Sequence, residues 1–184
     1  MLTVLAGMES YLPAIRREII YSLRCMIKRE IQYHASFLNH SFKRSKNAAG
    51  CIFMDYRNES FEDQNVVIYG HNMADRTMFG VLKDVFRDEF WERKDSDIIL
   101  IYETDHRLRK YKIFSYYTVE KEDYYITTSF WDDEEYAEFL SEIKKRSFRN
   151  LNVAVTADDH ILTLSTCAGL SGTCGRRVIH AKLI

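Results

Sequence analysis

Ile161-Leu-Thr-Leu-Ser-Thr-Cys167 and, after a loop with glycines at 169, 172 and 175, Arg176-Arg-Val-Ile-His-Ala-Lys-Leu-Ile184 are the segments whose reading decides the fold. The first predicts a strand over Ile161 to Thr166 and the second a strand over Arg176 to Ile184, because apolar and β-branched residues dominate both and Gly punctuates the gap. Side chains alternate along a strand, so Arg176, Val178, His180 and Lys182 share one face, opposite Arg177 and Ile179. Only one of the two arginines therefore points into a given cleft.

Working outward, Ile98 to Tyr102, Tyr111 to Val119 and Leu151 to Thr156 read as further strands, as do Gly50 to Asp55 and Val66 to Tyr69. Three helices are expected. One spans about Ser10 to Tyr33, with Leu12, Ile15, Ile19, Leu23 and Ile27 at helical spacing, and competes with a strand reading over Ile27 to Tyr33. A second lies between Met73 and Lys94, where Met78, Phe79, Leu82, Val85, Phe86 and Phe90 recur every three or four residues. The third follows Asp132, a predicted N-cap, with acidic residues at its start and Lys144-Lys-Arg146 at its end, the charge order a helix dipole favours. Many strands with few intervening helices predict a barrel or sandwich with peripheral helices, rather than a doubly wound sheet.

The 184 residues are 46% hydrophobic, enough for one core, and no linker, repeat or low-complexity segment marks an internal boundary. With 26 basic and 27 acidic side chains the chain carries no field that would gather nucleic acid or anionic lipid. No run approaches the ~20 apolar residues of a membrane span, and Met1 to Met8 lacks a basic flank. The chain as it stands reads as soluble. Cys25, Cys51, Cys167 and Cys174 lack the paired spacing of a zinc site, so neither metal nor cofactor is expected, and free thiols are the default.

Chemistry is concentrated in three segments: Ile68-Tyr-Gly-His-Asn-Met73, Thr163-Leu-Ser-Thr-Cys167 and the strand from Arg176. Singly, each has a plain structural reading. A Cys ending an apolar strand is commonly a small buried hydrophobe, His71 is a polar residue at a strand-to-helix junction, and Arg176 is a strand-edge charge. Position at a strand end beside a glycine-bearing loop makes Cys167 a reachable nucleophile, and an imidazole is the side chain that exchanges protons most readily near neutral pH.

Together, in this order, YGHNM, TLSTC and R-x-V-I-H-A-K-L resemble the class B sortases. The resemblance runs from about Phe37 to the C-terminus, through Phe37-Leu-Asn-His-Ser-Phe42, Gly50-Cys-Ile-Phe-Met-Asp-Tyr-Arg-Asn58, Thr77-Met-Phe79 and the Asp132 to Ser147 helix. It implies a closed eight-stranded β-barrel and a single catalytic domain over 1–184, residues 1–36 being divergent. It further implies Cys167 as nucleophile, His71 as donor to the leaving amine and Arg176 as stabiliser of the oxyanion, with Tyr69, Ser165, Tyr125, Ile126 and Asn39 lining a peptide groove. The implied reaction cleaves an N-P-x-T-type sorting signal after Thr and passes the acyl group to an amine of a cell-wall precursor or a pilin. The implied partners are surface proteins bearing that signal, at the outer face of a Gram-positive membrane, through an anchor expected to lie outside this chain. A hydrolase using the same residues, and a catalytically silent binding module on the same barrel, are the rival readings. Cys174 reads as an exposed loop thiol, with a Cys167–Cys174 disulfide as the alternative.

Overall fold

The computed structural model describes residues 3–6, 39–40, 45–102, 107–120, 124–169 and 175–184. The expected helix from Ser10 to Tyr33, its strand alternative, and Cys25 and Cys174 all fall outside these residues.

One sheet organises the described chain. Its strands are β1 (Thr3–Ala6), β2 (Phe53–Met54), β3 (Asn65–Tyr69), β4 (Ile98–Tyr102), β5 (Leu108–Glu120), β6 (Ile161–Cys167) and β7 (Gly175–Leu183). They are ordered β1-β4-β5-β7-β6-β3-β2, and only β3 and β6 run parallel. The sheet is curled, a half-barrel with few helices, so the mostly-β reading holds. Where eight strands were expected, the described residues supply seven.

Alternation splits the central strands between two cores. Leu162, Leu164, Ile179 and Ala181 join Val66, Ile68, Ile99, Ile101, Phe79, Leu82 and Val85 on one face. Ile161, Val178, Phe114 and Tyr117 join the helix α2 (Asp133–Lys145) on the other, through Tyr136, Phe139, Leu140 and Ile143. Within β5 the register shifts between Ile113 and Ser115. Such a bulge exchanges the faces. Tyr111 and Ile113 therefore share a core with Tyr116, while Phe114 shares one with Tyr117.

Helix α2 starts as its sequence predicts: the Asp132 carboxylate accepts the Glu135 N–H at 2.8 Å, and the Glu135 carboxylate accepts the Trp131 N–H at 2.6 Å. The expected helix over Met73 to Lys94 is instead a three-ten turn (Gly80–Phe86) and a single turn α1 (Asp88–Trp91), separated by extended Arg87. The three-residue spacing of Phe79, Leu82 and Val85 suits a three-ten turn as well as an α-helix, so it reported the buried side correctly and the continuity wrongly. Upstream, Arg76 and Met78 take positive φ (68° and 51°), and Asp75 accepts the Thr77 N–H and hydroxyl at 3.0 and 2.6 Å. Those bonds favour a turn over a helix start.

Leu151 to Thr156, expected as a strand, joins no ladder. Two of its carbonyls accept from side chains, Lys144 Nζ donating to Val153 O at 2.8 Å and Lys182 Nζ to Ala154 O at 3.1 Å, while Val153 and Val155 pack on the α2 core. Alternating burial alone produced the strand pattern.

His180 is fully buried between the Tyr117 hydroxyl (2.9 Å from Nε2) and the Thr163 hydroxyl (2.8 Å from Nδ1), and Thr163 donates to Asn65 Oδ1 at 2.6 Å. Burial, aided by the positive Arg146, pushes its pKa from 6.5 down to about 3. The unfolded chain gains a proton at His180 as pH falls below 6.5 and the folded chain does not. Stability should therefore decline between pH 6.5 and 3, by up to ~1.4 kcal/mol per unit from this group. Urea melts of wild type and His180→Gln across that range should show the variant's pH slope to be shallower; parallel slopes would contradict this assignment.

Candidate active site

The nucleophile candidate and the arginine are brought together by strand register. In the β6–β7 ladder Cys167 stands directly opposite Arg176, and Arg176 Nη1 lies 3.3 Å from Cys167 Sγ. Arg177 points to the other face, its guanidinium 5.6 Å from the centre of the Phe86 ring. The period-two reading of these arginines is thus realised in the structure.

His71 reaches the same cleft from β3. The parallel β3–β6 ladder sets Tyr69 beside Ser165, and Gly70 N–H continues it to Ser165 O at 3.3 Å. Two residues beyond Tyr69 and Ser165 come His71, in the loop after β3, and Cys167, at the end of β6, both half-buried and both lining one cleft of about 490 Å³. Gly70 is needed for this approach: a Cβ there would sit 2.8 Å from the Phe79 ring and 3.1 Å from Ile52.

Of the remaining expected groove residues, Tyr69, Ser165, Tyr125 and Ile126 all line the cleft, and the Tyr125 and Ser165 hydroxyls are 3.1 Å apart. Asn39 is exposed and is not among the lining residues; its carbonyl accepts the Asn47 N–H at 2.9 Å.

Phe53, Asp55, Tyr56, Arg57, Gly70 and Thr166 also line it, and no role was read for them from the sequence. Asp55 is buried, accepts Arg57 Nε and Nη2 at 2.8 Å each, and accepts the Tyr69 hydroxyl at 2.7 Å. Burial alone would raise its pKa, but the Arg57 side-chain and backbone hydrogen bonds, the Tyr69 hydroxyl and the guanidinium charge together hold it below 3.8. The bond to Asp55 raises the Arg57 pKa, and burial beside Asp55 raises that of Tyr69. The signal in the sequence was the Asp-x-Arg spacing, which lets an Asx turn (Arg57 N–H to Asp55 Oδ1, 3.0 Å) fold the arginine back on its own carboxylate.

Cys51 and Cys167 both carry thiols that are not joined in a disulfide. Burial raises the Cys51 pKa to about 11, so thiolate chemistry near neutral pH does not fall to Cys51. Among the described residues no cluster of His, Cys, Asp and Glu is arranged to hold a metal ion.

A family profile described as "Sortase domain" matches residues 29–184. The chain belongs to the class B sortases. It is 41% identical over 152 residues to Sortase B of Staphylococcus aureus, covering 80% of this chain and 60% of that protein. The crystal structure of a Bacillus anthracis protein described as similar to sortase B superposes with a TM-score of 0.72 at 38% identity, covering 85% of this chain and 69% of the other. A Staphylococcus aureus sortase B–substrate complex superposes with a TM-score of 0.73 at 38% identity, covering 82% and 69%. This sortase chain thus spans about three-fifths of the length of the curated relative it matches.

Removing Arg57 leaves a buried carboxylate with fewer donors. Because the Arg57 side chain is 34% exposed, the expected cost of Arg57→Ala is only about 1–2 kcal/mol at neutral pH. With Asp55 held below 3.8, the pair's contribution is complete above that pH and is lost as pH falls through the folded-state pKa. Thermal melts in steps from pH 7 downward should show the wild-type advantage in full at pH 7 and shrinking only once the pH has fallen below 3.8.

Proposed function

We propose that this sortase domain is a cysteine transpeptidase in which Cys167 is the nucleophile, His71 the proton donor and Arg176 the oxyanion stabiliser. The observation that carries the reading is the cross-strand pair, with Arg176 Nη1 3.3 Å from Cys167 Sγ at the edge of a cleft that His71 also lines.

The geometry suits acyl transfer. A Cys167 thiolate adds to the scissile carbonyl carbon, and the carbonyl π electrons move to oxygen, giving a tetrahedral oxyanion. Full negative charge exists only at that stage, so a guanidinium fixed beside Sγ stabilises the transition state more than the neutral carbonyl. Collapse breaks the C–N bond; the leaving amine takes a proton from His71 as imidazolium, and a thioester remains on Cys167. An incoming amine then adds to the thioester carbonyl, loses a proton to His71 and expels the thiolate, forming a new peptide bond.

Kinship with the class B sortases supports as substrate a sorting signal of the N-P-x-T type, cleaved after Thr, with an amine of a cell-wall precursor or a pilin as acceptor. The partners would be surface proteins bearing that signal, and the site of action the outer face of a Gram-positive cell membrane. Tyr69, Ser165, Tyr125 and Ile126, which floor and flank the cleft, are the residues to receive the peptide.

Mass spectrometry after incubation with an Asn-Pro-Gln-Thr-containing peptide should show an acyl adduct or a cleaved product with wild type and neither with Cys167→Ala. His71→Ala should come close to abolishing turnover. Arg176→Ala should lower the rate about 10²–10³-fold, as loss of an oxyanion donor does. Arg177→Ala, on the opposite face, should leave it nearly unchanged. A larger defect from Arg177→Ala than from Arg176→Ala would overturn the assignment of the oxyanion stabiliser.

A further inference from the structure

His71 is carried by a loop, and a loop places a proton donor only as well as it is held. The residue before it is fixed by the sheet: Thr166 donates its hydroxyl to Gly70 O at 2.7 Å. The residue after it is Asn72, whose own Nδ2 donates to the backbone carbonyl of Cys167 at 3.0 Å. Asn72 also forms an isolated antiparallel bridge with Met78, and Phe79 N–H donates to His71 O at 2.9 Å, which closes the loop on itself.

The other half of the Asn72 amide provides a second observation. Its Oδ1 is buried and has no hydrogen-bond partner among the described residues. The orientation of the amide is set, since exchanging its oxygen and nitrogen would press two carbonyl oxygens together. An unpartnered buried acceptor costs folding free energy, which the bond made by Nδ2 has to offset. The clamp on the nucleophile's own carbonyl is what Asn72 provides in return.

We infer that Asn72 is a positioning residue, tying the His71 loop to the end of β6 so that the imidazole stays in reach of the amine leaving Cys167. The inference rests on the proposed roles of Cys167 and His71. It separates from a merely structural role by leaving group. The amine of a peptide departs only when protonated, whereas the nitrophenolate of an activated ester with the same acyl sequence departs as a stable anion, so that breaking its acyl C–O bond gives the same thioester without that proton.

The experiment compares wild type, His71→Ala and Asn72→Ala on the peptide and on its nitrophenyl ester, with rates referred to titratable Cys167. For Asn72→Ala, kcat on the peptide should fall by about 10-fold or more with KM within about twofold, and the single-turnover rate of nitrophenolate release from the ester, which reports acylation before any amine enters, should stay within about threefold of wild type. Should Asn72→Ala not fold, Asn72→Ser, whose shorter arm cannot span to the Cys167 carbonyl, carries the same comparison. Equal losses on both substrates for the Asn72 variant, with His71→Ala selective for the peptide, would overturn this inference alone. Equal losses for His71→Ala itself would overturn the role of His71, and the inference with it.

Discussion

The antiparallel register of β6 and β7 is the constraint on which the site depends. It sets Cys167 opposite Arg176, Ser165 opposite Val178 and Thr163 opposite His180. A slip of one residue would turn every side chain of one strand to the other face, presenting Arg177 to the thiol and moving Val178 and His180 out of the α2 core. Burial fixes the register: Ile179 and Ala181 belong to one core and Val178 to the other. The packing that stabilises the sheet is therefore also what aims the guanidinium.

The same face carries polar groups deeper in. Ser165 meets the Tyr125 hydroxyl, and Thr163 bridges Asn65 and His180, with Asn65 Nδ2 donating to Thr127 O at 2.7 Å. These bonds connect β3, β6, β7 and the segment Tyr124–Ile126, so the cleft floor is anchored from below. A buried network stabilises only when its members are paired, and here they are. Groove residues on that segment are thus held by side-chain bonds to the sheet, although they lie outside its ladders.

The cleft walls depend on loops. On one side Asp55 gathers Arg57 and Tyr69; on the other, Thr166 and Asn72 tie down the residues flanking His71. Each anchor is a short polar side chain bonding a neighbouring loop or strand end, a device that costs little volume in a close-packed corner. Where backbones approach most closely, Gly70 beneath Phe79 and Gly80, whose Cβ would lie 2.3 Å from Met73 O, no larger residue fits without movement.

By itself the sequence determined the strands of strong alternation, the Asp132 cap and its helix, and the shared face of Arg176 and His180, because each depends on neighbours within a few residues. It also carried the order of the three motifs and with it the family. It misjudged Met73 to Lys94 and Leu151 to Thr156, where apolar spacing reported burial but could not tell a three-ten turn from an α-helix, or an extended segment bonded by lysines from a strand. The tertiary structure alone decided that Cys167 faces Arg176, that Asp55 and Arg57 border the cleft, and that Asn72 reaches the carbonyl of a residue 95 positions away. Those relations join segments distant in the chain, and only strand pairing and packing bring them within bonding distance.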